Sequence, residues 1–120
     1  MNRDQAIHNF WSSFEWKAYD ETSVPDDAVL PYITHEGSVN DFGYAVAQNA
    51  SLWIRSTDWT EILAKLDEIE NAITRGGIML SYDRGAVWLK KGDPWAQRMG
   101  DSTDDMIRRV LISYELEFID

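Results

Sequence analysis

The chain has 120 residues, 21 Asp and Glu against 11 Lys and Arg, no cysteine, and a formal net charge of −10. That composition excludes a disulfide framework, a thiolate nucleophile and a cysteine-type zinc site. It also argues against tight nucleic-acid binding, which depends on neutralising phosphates with Lys and Arg. One domain is expected, and 44% hydrophobic residues with six tryptophans make the chain too apolar for a disordered acidic tail. No apolar stretch approaches the roughly 20 residues that span a bilayer. The opening MNRDQAIHNFW lacks the apolar core of a signal peptide, so synthesis and folding in the cytoplasm are expected.

Asn2-x-x-Gln5 reads as a capping box. Ile7, Phe10, Trp11, Phe14 and Ala18 then follow at helical offsets, which predicts an amphipathic helix over 3–18. Trp16 lies about half a turn off that stripe, so a core role explains it poorly. The polar stretch 20–29 predicts a loop, and LPYITHE at 30–36 a strand with Pro31 at its start or at a sheet edge. Residues 37–43 are turn-rich. An extended stretch at roughly 44–56 sends Leu52 and Ile54 one way and Trp53 and Arg55 the other.

A second helix is predicted over 59–74. Asp58-x-x-Glu61 offers a capping box, and Trp59, Ile62, Leu63, Leu66, Ile69 and Ile73 form its stripe. Arg75 suits the negative end of that helix, and Gly76-Gly77 supplies a left-handed stop. Residues 78–83 and 86–91 form a hairpin around Asp83-Arg84-Gly85, with glycine where φ can be positive. A Gly/Pro-studded acidic loop is expected from 92 to about 105. The chain then alternates from 106 to 119 as a half-buried strand. The predicted order is α-β-β-α-β-β-β. It gives an α+β domain, 1–120, whose mainly antiparallel sheet carries two helices on one face.

The motifs of catalysis are missing. The two histidines, His8 on the first helix and His35 on a strand, lack metalloprotease spacing, and read as a helix-flank and a sheet-face residue. There is no nucleophile elbow, phosphate loop or dinucleotide fingerprint. Asp26-Asp27 favours a turn, and Asp67, Glu68 and Glu70 form a solvated helix face. The run Asp101 to Asp105 resembles a loose cation loop without the glycine and distal glutamate of an EF-hand. Glu115 and Glu117 share one face of the last strand, but a glycosidase-like pair needs a cleft that nothing announces. Neither catalytic residues nor a metal or cofactor site is expected.

Charge is unevenly spread: residues 1–50 hold two basic and eight acidic side chains, whereas 75–98 hold five basic and two acidic. A chain with acidic and basic regions can pair head to tail with copies of itself. The plainer reading is that Arg84, Lys90 and Lys91 keep an exposed hairpin soluble. Trp11 and Trp59 lie on helix stripes, whereas Trp16, Trp53, Trp88 and Trp95 are candidates for a subunit interface, where tryptophan is enriched. Arg84, Lys90, Lys91, Arg98, Arg108 and Arg109 complete the candidate interface set.

Three segments carry a resemblance: VPDDAVLPYITHE (24–36), DWTEILAKLDEIENAI (58–73) and DPWAQRMGDSTDDMIRRVLISYELEFI (93–119). Within them, VP-x-x-A-x-x-PYI leads into the first strand, and Gln97, Asp101, Asp104, Ile107 and Arg109 precede or open the alternating last strand. With these loose patterns over nearly its whole length, the chain resembles tail terminator, or tail completion, proteins of long-tailed bacteriophages and prophages. The resemblance implies a ring, typically a homohexamer, at the head-proximal end of the tail tube. There it would stop tube polymerisation and offer a surface to head-completion proteins of the neck. DNA would pass through the lumen without tight binding, and the protein would reside in the virion tail after synthesis in the host cytoplasm. Arg108 and Arg109 would then pair with acidic residues of an adjacent subunit. Two other readings fit the composition: an acidic inhibitor or immunity protein that caps a basic nuclease or toxin, and a small enzyme with an unrecognised carboxylate pair.

Overall fold

The computed structural model describes residues 1–37, 45–100 and 103–119. Eight elements follow in chain order: α1 (Arg3–Ser12), β1 (Lys17–Asp20), β2 (Tyr32–His35), β3 (Ala45–Arg55), α2 (Thr60–Ile73), β4 (Ile78–Tyr82), β5 (Gly85–Gly100) and β6 (Ile107–Ile119). The strands form one mixed sheet in the order β1-β2-β3-β6-β5-β4. Every neighbouring pair is antiparallel except β1 and β2, which run parallel.

The α+β class and the two helices match the sequence reading, but the element order gains a strand. α1 stops at Ser12 instead of running to residue 18. The hydroxyl and amide of Ser13 both turn back to the Phe10 carbonyl, and Glu15 takes a φ of 71°. Ala18 therefore reaches the core from a strand, pairing with Ile33, rather than from a fourth helical turn. The off-stripe position of Trp16 was the sign that the helix had ended.

The expected loop from 92 to 105 is also shorter. β5 continues to Gly100, interrupted by residues 92–95, where the register shifts from Lys91 opposite Tyr114 to Ala96 opposite Ile112. Gly92 lies so close to the partner strand that a Cβ would stand 2.7 Å from the Ser113 carbonyl oxygen. Pairing with the long β6 thus overrides the local turn chemistry of Gly92 and Pro94. The turn-rich stretch predicted at 37–43 lies outside the described residues beyond Gly37, as do Asp101 and Ser102 of the acidic run. Its Asp104 is engaged: the carboxylate pairs with Arg55 and accepts from the Met106 amide.

Helix termini follow the expectations unevenly. The Asn2–Gln5 capping box is complete, with Oδ1 of Asn2 accepting from the Gln5 amide and Oε1 of Gln5 from the Asn2 amide. At α2 the box does not form: Trp59 occupies the cap, and Asp58 instead accepts from the Thr60 amide at 2.9 Å. Positive φ falls at Thr74 and Gly77, not at Gly76 or Gly85, and Arg75 lies beyond the helix end. Ile78–Tyr82 and β5 meet in the expected hairpin, with Gly85 paired to Tyr82.

Alternation decides where the core sits. Val110, Ile112, Tyr114, Leu116 and Phe118 of β6 are all buried, with Ala50, Leu52, Ile54, Val87, Leu89 and Ile33 of the neighbouring strands. Ile7, Phe10, Trp11 and Phe14 from the first segment, and Ile62, Ile69 and Ile73 from α2, complete one cluster. Full burial of such side chains stabilises by about 1.5–3 kcal/mol each. α2 packs on β3, β5 and β6, while α1 touches β1 and β2 at one edge and β4 at the other, so the sheet curls around it.

Candidate functional site

The opposite sheet face is where several sequence-derived candidates meet. Period-2 alternation that buries Leu52 and Val110 necessarily turns Trp53 and Arg109 outward. The two are directly opposed across β3 and β6, and the guanidinium carbon of Arg109 lies 4.6 Å from the Trp53 ring centroid. Nε of Arg109 donates to Ser51 Oγ at 3.1 Å, and Nε1 of Trp53 donates to Thr34 Oγ1 at 3.0 Å. These bonds satisfy hydroxyls that the ladder itself buries, since Thr34 and Ser51 are 7% and 4% exposed.

The ladder extends across the β1 edge. Tyr32 stands opposite Trp53 with ring centroids 6.4 Å apart, and Tyr19 meets Tyr32 edge-on at 5.6 Å. On the other side of β6 the same face carries Trp88 and Lys90, cross-strand partners of Glu117 and Glu115. Lys90 caps Trp88 at 4.2 Å and approaches Glu117 at 3.9 Å, while Nε1 of Trp88 donates to the Gly76 carbonyl. Met79, opposite Trp88, and Ile119, opposite Ala86, are exposed on this face. No described element covers it.

The remaining candidates fall elsewhere. Arg98 and Arg108 sit at the helix-side end of β5 and β6, their guanidinium carbons 5.2 and 5.5 Å from the Trp59 centroid. Arg108 also donates to the carbonyls of Asp105 and Thr57, fixing the turn before α2 to the start of β6. Lys91 points to the helix side, where it pairs with Glu70 at 2.7 Å and lies 5.7 Å from the Trp95 centroid. Glu70 is therefore not part of a purely solvated face, and Lys91 is committed within the subunit. Trp95 and Trp16 both pack against the core, with Lys65 5.6 Å from the Trp16 centroid. Arg84 is exposed at the hairpin tip. The structure thus gathers Trp53, Arg109, Trp88 and Lys90 on one face, and separates Trp16, Arg84, Lys91, Trp95, Arg98 and Arg108 from it. Tyr19 and Tyr32 were missed; the parallel pairing that aligns them could not be foreseen while 3–18 read as one helix.

The fold joins the two histidines, which lie far apart in the sequence. His8 Nδ1 and His35 Nε2 are 3.1 Å apart, with ring centroids at 5.3 Å and planes tilted by 52°. The outer nitrogen of each has its own partner: His8 Nε2 meets Ser12 Oγ at 3.2 Å, and His35 Nδ1 meets the Glu36 carbonyl at 3.5 Å. His8 is exposed and His35 buried, and burial holds the His35 pKa below its ordinary value. They border a cleft of about 680 Å³ that Asp4, Asp20 and Glu36 also line. Hydrogen bonds from the Thr22 hydroxyl and amide hold the Asp20 carboxyl below its usual pKa. No protein-family model, no curated protein and no solved structure matches this chain.

Proposed function

We propose that this chain is a structural assembly protein of the tail-terminator type, working as a subunit of a ring, typically hexameric, at the head-proximal end of a phage tail tube. The sequence patterns at 24–36, 58–73 and 93–119 motivate the reading. The observation that carries it in the fold is the sheet face that no described element covers, with its Tyr19–Tyr32–Trp53–Arg109 ladder and exposed Met79 and Ile119. Aromatic and arginine side chains on a rigid sheet are the residues that dominate interface energetics. A face of this kind needs only a partner surface, and no bond chemistry.

In the ring, the open face meets a neighbouring subunit or the end of the tube, and the acidic N-terminal half supplies part of a lumen that does not retain DNA phosphates. Head-completion proteins of the neck contact the other end. Lys91, paired with Glu70 on the helix side, contributes less than the sequence suggested; Arg109 and Trp53, on the open face, contribute more. Incubating the purified chain with tail tubes and imaging by electron microscopy tests this. Rings at tube ends are expected for the wild type, and their loss for Arg109→Glu with Trp53→Ala, while circular dichroism stays unchanged. A wild-type chain that never caps tubes, and instead binds a basic nuclease or toxin as a monomer, would overturn the assignment in favour of an inhibitor.

A further inference from the structure

We propose that His8 Nδ1 and His35 Nε2 form a two-histidine site for a divalent transition-metal ion of the zinc class, tying α1 to β2. The chain contains only two histidines, 27 positions apart, and the fold places a nitrogen of each face to face at 3.1 Å. Two nitrogens bound at about 2.0–2.1 Å to a tetrahedral zinc ion stand about 3.3 Å apart, so the separation already matches and the rings need to turn their lone pairs off the N···N line toward a common point.

The outer nitrogen of each ring also has a partner. A metal-ligating imidazole donates its other N–H to a fixed acceptor, which sets the tautomer and the ring orientation. His8 Nε2 has Ser12 Oγ in reach at 3.2 Å, and His35 Nδ1 has the Glu36 carbonyl at 3.5 Å. Without metal, the Ser12 hydroxyl donates to His8 Nε2, and His8 Nδ1–H donates to His35 Nε2. Moving the His8 proton from Nδ1 to Nε2 leaves a free lone pair on each of the two facing nitrogens, and Ser12 becomes the acceptor. No proton leaves the protein, and only one N–H···N bond is given up.

Among the described residues no third His, Cys, Asp or Glu joins the pair at ligand distance. Water therefore fills the remaining positions, supplied from the cleft that His8 and His35 border. Asp4, Asp20 and Glu36 line the same cleft and give it a negative field that favours a cation. Imidazole nitrogens select zinc, copper or nickel over magnesium or calcium, which prefer oxygen ligands. The site stands independently of the assembly reading.

The test uses the full chain, stripped with a chelator and titrated with Zn²⁺ at neutral pH in excess Mg²⁺. Calorimetry follows binding, and the imidazole resonances of the two histidines report where it occurs. One equivalent of zinc is expected, with both imidazoles shifting and the thermal midpoint rising. His8 is exposed, so His8→Ala should fold normally and lose the binding, whereas Ser12→Ala should weaken it on the order of tenfold. Zinc displaced by magnesium, unshifted imidazoles, or equal affinity in His8→Ala would place the ion on surface carboxylates and overturn the proposal.

Discussion

Arg109 and Trp53 face each other across the two central strands, the guanidinium carbon 4.6 Å from the indole centroid, on the sheet face turned away from α1 and α2. The pair is half-buried and roofs two hydroxyls, so it rigidifies the face before any partner arrives. A double-mutant cycle with Arg109→Gln and Trp53→Leu isolates the contact. Urea unfolding should give a coupling of about 0.5–1 kcal/mol, the range of a cation over an aromatic ring at a partly exposed site. Additive effects of the two changes would show that the residues sit together without supporting each other.

Helix α1 offers a cleaner reading of a cap, because the Asn2–Gln5 box is complete in the fold. Asn2→Ala should lower stability by about 1 kcal/mol, measured by urea unfolding of the metal-free protein. Glu61→Ala, at the place where a box was expected on α2 but Trp59 holds the cap, should cost distinctly less. A larger loss at Glu61 than at Asn2 would contradict the observed geometry.

The contrast between these helix starts shows where sequence patterns suffice. Local, short-range features were legible: the Asn2 box, the stripe of α2, the hairpin at 78–91 and the alternation of β6 needed only neighbours in the chain. The features that were missed depend on distant partners. Lys17–Asp20 is a strand because β2 lies beside it, and the segment after Gly92 is a strand because β6 extends past it. Of the candidate residues, Trp53 and Arg109 were legible from alternation alone. The contact of His8 with His35 was not, since a helix and a strand 27 residues apart meet only through packing of the whole core.

Gly76 and Gly77 look interchangeable in the sequence, yet the structure separates them. Gly77 has φ of 87°, and an added Cβ would stand 2.6 Å from the Leu89 carbonyl oxygen and 2.7 Å from Trp88 Nε1. Nothing lies within 4 Å of the same position on Gly76, and its φ is not positive. Gly77→Ala should destabilise by more than about 1 kcal/mol, and Gly76→Ala should be neutral or slightly stabilising through the unfolded chain. Thermal unfolding of the two variants side by side checks this. Equal midpoints would mean that the Gly77 backbone does not need its left-handed conformation.

Burial of His35 predicts a pH dependence with a definite sign. The imidazole is 5% exposed, and desolvation lowers its pKa; His8 pushes the same way, while the Glu36 carbonyl and Asp20 oppose it. As pH falls through about 6.5, the unfolded chain takes up the proton first. Stability therefore declines with falling pH until the lowered folded pKa is passed, and His35 adds no further slope below it. Asp4, Asp20, Glu36 and His8 line the same cleft and are common to both proteins, so the comparison must be with His35→Gln. In chelator, urea midpoints of wild type and His35→Gln should be compared from about pH 8 to about pH 5, the span in which histidine titrates. The wild type should lose more stability than the variant over that interval. Parallel curves would mean that His35 protonates as easily in the folded chain as in the unfolded one, and would overturn the prediction.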